Sequence, residues 1–237
     1  MAYNGETFIG NSYPARLYGN TVRSLEFDIL VSMTLVDTKE QLSTEQEQVL
    51  IGALLGDACM EKNGKHCRIK FDHSLAQKEY LLWKQNRLKD FCTSKISCFD
   101  VLDSRTEKYY SHVRFNTKSL ETFDKYYPMF YLNKRKGVPG NISDLLKSPI
   151  ALTVWYLDDG AKRTDCNALR IHTNCYQKSE QEVLIKMLQR NFGIIAKLHK
   201  VHNEEYVIYI PSEESKGFCK IIEPIVNEIP SMRYKLL

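Results

Sequence analysis

Two aspartates with equivalent surroundings are the strongest candidates for chemistry in this sequence. Asp57 ends the apolar run L-I-G-A-L-L-G-D-A at 50–58, and Asp159 ends L-T-V-W-Y-L-D-D-G at 152–160. Both runs are apolar on nearly every side, which predicts two buried helices with a carboxylate at the C-terminal end. That position opposes the helix dipole. If the helices pack side by side, the acids meet and need a cation, and Mg²⁺ suits carboxylate, water and phosphate oxygens.

The simpler explanation is that each aspartate only terminates a helix. That explanation would suffice for one helix, but two equivalent helices in one chain favour a shared function. Gly52, Ala53 and Gly56 on the first helix are small enough for the second helix to approach closely. We therefore expect the two acids to lie together.

The sequence contains an internal duplication. The interval of 102 residues between Asp57 and Asp159 also separates Arg68 from Arg170. Each half shows the patterns of a helix, a strand, a helix, two strands and a helix. This order predicts an α+β fold of two halves related by a pseudo-two-fold axis. The predicted domains are a variable N-terminal arm at 1–42, a first half at 43–131, a linker at 132–148 and a second half at 149–237.

Local signals place the ends of several elements. Ser43 with Gln46 predicts a capping box at the first helix, and Pro149 suits the first turn of its counterpart. Ser179 with Glu182 predicts a further capping box, in a helix that stops at Gly193. Strands are predicted at 66–72, 96–102, 108–116, 169–174, 194–201 and 205–211.

Composition limits the class of protein. The 237 residues are 43% hydrophobic and 26% charged, which excludes general disorder. The net charge of +4 is compatible with nucleic acid. The seven cysteines include no C-x-x-C pair, which argues against a disulfide framework and a zinc ribbon and predicts a reducing compartment, either an organelle matrix or the cytoplasm. The longest apolar stretch is too short to span a bilayer, so no membrane association is expected.

The two acidic segments resemble the LAGLIDADG motif of homing endonucleases, in the single-chain class that carries two copies. Asp57 and Asp159 fall on the eighth, catalytic position of the motif, with Ala58 and Gly160 on the ninth. The resemblance covers about residues 44–237. It implies two αββαββα halves that form a saddle, with the sheets in the DNA major groove and the acids beneath the minor groove.

The resemblance also implies the active-site residues of a metal-dependent DNA endonuclease, a phosphodiester hydrolase. The two acids would bind Mg²⁺ or Mn²⁺, each aided by a neighbouring carbonyl, that of Gly56 or of Asp158. Lys136 and Lys235 match the lysines of the catalytic pocket, where a cation can polarise the scissile phosphate or order the attacking water. The implied product is a double-strand break with short 3′ overhangs, made by a monomer that promotes mobility of its host intron or intein.

Polar residues on the predicted strands would form the DNA-binding surface. A two-stranded ribbon fits the major groove, where Arg pairs with guanine and Asn with adenine. The two halves present different residues, which predicts an asymmetric target; Asp72 would accept from cytosine or lie near the active site. The expected contacts are Arg68, Lys70, Asp72, Lys108, Tyr110, His112, Arg114, Arg170, His172, Asn174, Lys197 and His199.

Two alternatives remain open at this point. An RNA-binding maturase, which helps its host intron fold, would keep the scaffold and could keep the acids, and its partner would be the intron RNA. A non-cleaving DNA-binding regulator on the same scaffold is the second alternative. Such relatives usually lose the motif acids, and both are present here.

Overall fold

The structure is a computed structural model that describes residues 41–93, 95–201 and 205–237. The N-terminal arm expected at 1–42 lies outside the described residues except for its last two positions. Within the described residues, the helices are all too short or too polar to cross a membrane.

The first half is built around a four-stranded antiparallel sheet. Its strands follow the order β1-β2-β4-β3. The elements, in chain order, are α1 (Thr44–Leu55), β1 (Cys59–Asn63), β2 (His66–Ser74), α2 (Lys78–Arg87), β3 (Ser97–Asp103), β4 (Lys108–Asn116) and the single turn α3 (Tyr127–Phe130), which a 3₁₀ segment (Glu121–Tyr126) precedes.

The second half repeats this topology. Its sheet has the order β7-β8-β10-β9, and the strands are again antiparallel. A short connection precedes it, with β5 (Tyr131–Leu132), β6 (Arg135–Lys136) and α4 (Ile142–Leu145). The elements of the half are α5 (Pro149–Asp159), β7 (Gly160–Lys162), β8 (Leu169–Ile171), α6 (Lys178–Phe192), β9 (Lys197–Lys200), β10 (Tyr206–Ile210) and α7 (Ser212–Val226). The predicted α+β fold of two αββαββα halves is confirmed.

The ends of the helices follow from local hydrogen bonds. The capping box of Ser43 and Gln46 is confirmed at α1, and Pro149 begins α5 as predicted. The capping box predicted from Ser179 is wrong, because α6 begins earlier, with Gln177 as its cap and Glu180 reaching back to the Gln177 N–H. Gly193 ends α6 in the left-handed conformation, with φ of 70°.

Helices α1 and α5 pack against each other where the two halves meet, without space for larger side chains. Every residue of α1 from Gln48 to Leu55 is buried. A Cβ on Gly52 would stand 2.4 Å from the carbonyl oxygen of Ala151, and one on Gly56 would stand 2.4 Å from Asp158 Oδ2. The two glycines therefore permit this close approach, and the C-terminal ends of the two helices lie side by side.

The strand β8 is shorter than the sequence pattern predicts. Alternation continues to Asn174, but pairing ends at Ile171, opposite Gly160 and Ile208. Beyond it the chain turns, with the N–H of Tyr176 donating to the carbonyl of Thr173 at 2.9 Å. His172 and Asn174, both expected on the strand face, therefore lie past the end of the ladder.

Candidate active site at the ends of two packed helices

The two predicted acids occupy matching places in the two halves. Asp57 follows Gly56, the C-terminal cap of α1, and Asp159 is the last residue of α5. Burial, followed by repulsion from Asp158, raises the pKa of Asp57 to about 6. Burial and repulsion from Asp158 and Asp57 raise the pKa of Asp159 to about 8. Several carboxylates therefore share one region, and each added negative charge there is unfavourable without a cation.

Each half also contributes one lysine to the end of its own helix. Lys136 Nζ donates to the carbonyls of Gly56 at 2.5 Å and Ala58 at 2.9 Å. Lys235 Nζ donates to the carbonyls of Leu157 at 2.6 Å and Asp158 at 3.2 Å. The ammonium groups satisfy carbonyls that no helical N–H can reach and oppose the negative end of the dipole.

The lysines meet the carbonyls that the sequence assigns to metal binding. Gly56 and Asp158 each accept a lysine hydrogen bond through the backbone oxygen. A carbonyl oxygen has two lone pairs, so one remains on each for a further partner. Burial lowers the pKa of both Lys136 and Lys235, and the nearby aspartates oppose that shift.

The side chain of Asp158 has a role that the sequence did not predict. Its carboxylate is fully buried and lies 2.6 Å from Lys84 Nζ and 2.8 Å from the hydroxyl of Tyr80, both through Oδ1. Its Oδ2 accepts the backbone N–H of Asp57 at 3.1 Å. Burial alone would raise the pKa of Asp158, but the ammonium of Lys84 holds it below the ordinary value.

A histidine completes this buried cluster. His73 Nε2 lies 3.0 Å from Lys84 Nζ, and His73 Nδ1 lies 3.6 Å from Asp57 Oδ2. Burial, followed by the charge of Lys84, lowers the pKa of His73 to about 3, so the ring is neutral. We name Asp158, Lys84, Tyr80 and His73 the buried cluster.

The sequence contained a weak signal for the buried cluster. His73 continues the buried face of β2, in line with Ile69 and Phe71. Lys84 lies on the same helical face as Tyr80, one turn later, and both side chains are buried. A basic residue on an apolar face implies a partner, because an unpaired buried charge is costly. Which partner it finds depends on the packing of α2 against α5.

The exposed face of the first sheet carries the predicted DNA contacts of that half. Asp72 accepts hydrogen bonds from His112 Nδ1 at 2.8 Å and from Arg114 Nε at 2.9 Å. Burial would raise the pKa of Asp72, but the hydrogen bonds from His112 and Arg114 hold it below the ordinary value. Arg68 pairs with Glu61 at 2.6 Å. Lys70, Lys108 and Tyr110 lie on the same face by register, and Tyr110 is 45% exposed.

The second sheet presents a different set. Arg170 and Lys197 both stand opposite Tyr209, one on each neighbouring strand. His199 packs edge-on against the ring of Tyr209. His172 and Asn174 are exposed in the segment after β8, where the N–H of His172 donates to the carbonyl of Asp159.

Comparisons with known proteins agree on one family. A model of the LAGLIDADG DNA endonuclease family matches residues 47–218. The cytochrome b mRNA maturase bI2 of Debaryomyces hansenii is 30% identical over 206 residues, which cover 85% of this chain and 77% of that protein. The probable intron-encoded endonuclease 1 of Wickerhamomyces canadensis is 28% identical over 216 residues, which cover 87% of this chain and 91% of that protein.

A solved structure shares the arrangement. The homing endonuclease I-WcaI bound to its DNA recognition sequence matches with a TM-score of 0.75 and 27% sequence identity. The match covers 83% of this chain and 88% of that chain.

Proposed function

The chain belongs to the LAGLIDADG DNA endonuclease family, and we propose that it is a site-specific homing endonuclease that cuts both strands of a long asymmetric duplex. The observation that carries this proposal is the pairing of Asp57 and Asp159 at the ends of α1 and α5, with one lysine beside each. Such a doubled acidic centre suits the hydrolysis of two phosphodiesters, one on each strand.

The donor set fits a hard divalent cation such as Mg²⁺ or Mn²⁺. Burial and repulsion from neighbouring carboxylates raise the pKa of both Asp57 and Asp159, so a cation bound at these acids would be stabilising. The Asp158 carboxylate is already neutralised by Lys84, which leaves the motif acids and one lone pair on the carbonyls of Gly56 and Asp158 as ligands. When bound, the ion supplies Lewis-acid stabilisation of the phosphate and lowers the pKa of an attacking water.

The lysines have a positioning role in this proposal. Lys136 and Lys235 fix the ends of the motif helices through two carbonyls each. Their ammonium groups also bring positive charge to the place where a phosphate would develop negative charge. Each scissile phosphate would therefore meet one acid and one lysine, and the charges of both lysines act on Asp57 and on Asp159.

The partner in this proposal is duplex DNA, held by the exposed faces of the two sheets. Support comes from I-WcaI, whose structure was solved on its DNA recognition sequence. Arg114 is held in place by Asp72 and by stacking on Phe99, which suits a residue that reads bases. The faces differ between the halves, so the target would be asymmetric and the chain would act as a monomer, promoting mobility of its host intron or intein.

A second function is favoured by the names of two relatives. The bI2 proteins of Debaryomyces hansenii and Saccharomyces cerevisiae are both named maturases, and each is 30% identical to this chain. We therefore propose maturase activity on the host intron RNA as the alternative, and the two activities can coexist. A non-cleaving regulator is third, because both motif acids are retained.

The test is cleavage of a supercoiled plasmid. The plasmid carries the two sequences that flank this reading frame, joined directly to each other as in an allele without the insertion. We expect linear product in Mg²⁺, and binding without cutting in Ca²⁺. Tight, salt-sensitive binding with no cutting in either ion would contradict the nuclease. The same protein added to its unspliced intron RNA tests the maturase, which predicts faster splicing.

A further inference from the structure

The proton on the buried His73 ring is placed by its neighbour. Lys84 Nζ lies 2.6 Å from Asp158 Oδ1, which fixes the lysine as an ammonium, and 3.0 Å from His73 Nε2. An ammonium has three donors and no lone pair, so Nε2 must accept. The neutral ring then carries its proton on Nδ1.

That Nδ1–H points at Asp57. The side chain of His73 is 1% exposed, and Nδ1 has no hydrogen-bond partner among the residues that the structure describes. In that part of the chain, two carboxylates lie within 4.0 Å of the ring: Asp158 faces Nε2, and Asp57 faces Nδ1 at 3.6 Å. A shift of a few tenths of an ångström would bring Nδ1 and Asp57 Oδ2 within hydrogen-bond distance. A buried donor without a partner therefore faces the carboxylate that the proposed reaction uses.

The geometry does not suit His73 and Asp158 as metal ligands. The ligand atoms of Asp57, His73 and Asp158 lie within 4.8 Å of one another, close enough to share an ion. However, Asp158 Oδ1 and His73 Nε2 already contact the ammonium of Lys84, and Asp158 Oδ2 accepts the N–H of Asp57. The lysine supplies the positive charge that an ion would bring.

The positions that the internal duplication relates to the buried cluster do not form a second cluster of this kind. The residue 102 positions after His73 is Cys175, which is exposed. The residue 102 positions after Lys84 is Lys186, which is exposed on α6. The position 102 residues before Asp158 is Gly56, whose missing side chain makes room for the Asp158 carboxylate.

From this asymmetry we propose that His73, with its tautomer set by Lys84, is a positioning residue for Asp57 alone, so that the two cleavage centres are unequal. The inference rests on the proposed nuclease function. A hydrogen-bond donor to Oδ2 limits the rotation of the Asp57 carboxylate. Residues that hydrogen-bond to metal ligands orient those ligands in the same way. Asp159 has only the thiol of Cys175, a weak donor, at the position equivalent to His73. Loss of His73 should therefore slow one strand and spare the other.

The first test follows the two strands separately. A duplex of the joined flanking sequences, labelled differently on each strand, is cut by the full chain under single-turnover conditions with Mg²⁺. We expect His73→Leu to slow one strand by about tenfold or more and to change the other less than about twofold. His73→Asn, whose amide N–H can take the place of Nδ1–H, should restore much of the lost rate. The matched control is Lys186→Met in the second half, which should leave both rates unchanged.

The second test needs neither metal nor DNA. Long-range ¹H–¹⁵N spectra of histidine-labelled protein report which ring nitrogen carries the proton, and His73→Asn assigns the signal. We expect the Nδ1–H tautomer in the unaltered protein. We also expect a shift toward Nε2–H in the variant Lys84→Met/Asp158→Asn, which removes the buried pair together.

The possible outcomes separate the two proposals. An Nε2–H tautomer in the unaltered protein, or equal slowing of both strands by His73→Leu, would overturn the inference while leaving the nuclease in place. Absence of any cutting by the unaltered protein would overturn the proposed function. It would also overturn the proposal that His73 positions Asp57 for the cleavage of one strand. Selective slowing of one strand together with Nδ1–H would support both.

Discussion

The carboxylate of Asp158 accepts a hydrogen bond from the backbone N–H of Asp57, 3.1 Å away, across the contact between α1 and α5. The last turn of one motif helix therefore fixes the chain just after the other. Gly56 makes the contact possible, because a Cβ there would stand 2.4 Å from Asp158 Oδ2. The two acids proposed for catalysis are thus held by packing between the halves.

The first prediction concerns the close approach of the two helices. Gly52→Val places a side chain against the Ala151 backbone and Val154, so the helices must separate. Overpacking of this kind costs roughly 1–3 kcal/mol. We expect a lower Tm in thermal unfolding. The control is Gly217→Ala on α7, which meets no atom within 4 Å and should stabilise slightly. An unchanged Tm for Gly52→Val would contradict the packing.

The second prediction concerns the pH dependence of stability without metal. In the folded protein Asp159 has a pKa of about 8, well above its ordinary value of 3.8. Between these values the unfolded chain loses the proton and the folded protein keeps it, so stability falls as pH rises, and the loss is complete above about pH 8. Asp159→Asn removes this loss. We expect the variant to melt at least about 2 °C above the parent at pH 8, the equivalent of about 1 kcal/mol, and near the parent below pH 4. A variant less stable than the parent at pH 8 would count against the shifted pKa.

The third prediction concerns the buried pair of Lys84 and Asp158. Asp158→Asn leaves the ammonium without its counter-charge, and breaking a buried pair costs roughly 3–5 kcal/mol. Adding Lys84→Met should recover much of the loss, which a double-mutant cycle by urea unfolding would measure. As a control, Asp165→Asn, which removes an exposed carboxylate paired with Arg163, should lower the free energy of unfolding far less than Asp158→Asn does, because exposed ion pairs contribute little. Simple additivity of Asp158→Asn and Lys84→Met would show that the pair is not coupled.

Features of the fold that depend on residues close together in the sequence could be predicted, and features that depend on distant residues could not. The duplication, the apolar helices, the cap at Ser43 and the helix start at Pro149 depend on neighbouring residues, and the structure bears them out. The short strands β1 and β7 were not predicted separately, because their five and three residues give too little alternation. The contacts of the buried cluster depend on residues from both halves, and no spacing in the sequence indicates them.

The fourth prediction concerns base recognition by the first sheet. Arg114 is oriented by Asp72 and lies over the ring of Phe99, its guanidinium carbon 4.3 Å from the centroid. A fixed guanidinium is suited to guanine, and its loss should cost about 1–3 kcal/mol and relax specificity at one base pair. Arg114→Ala should show this in competition binding with Ca²⁺ against single-base variants of the site. Lys216→Ala on the exposed side of α7 is the control and should change neither affinity nor specificity. Uniform weakening on all sequences would indicate a phosphate contact at Arg114 instead.

We propose that Asp57 and Asp159 hold divalent ions against the DNA. This is tested most directly by anomalous scattering from Mn²⁺ in crystals of the protein on the joined flanking sequence. We expect peaks at the carboxylates of Asp57 and Asp159, within about 2.0–2.2 Å of their oxygens, as is usual for small hard divalent ions. Peaks confined to other residues, or none at these carboxylates in a complex that cuts in solution, would contradict it.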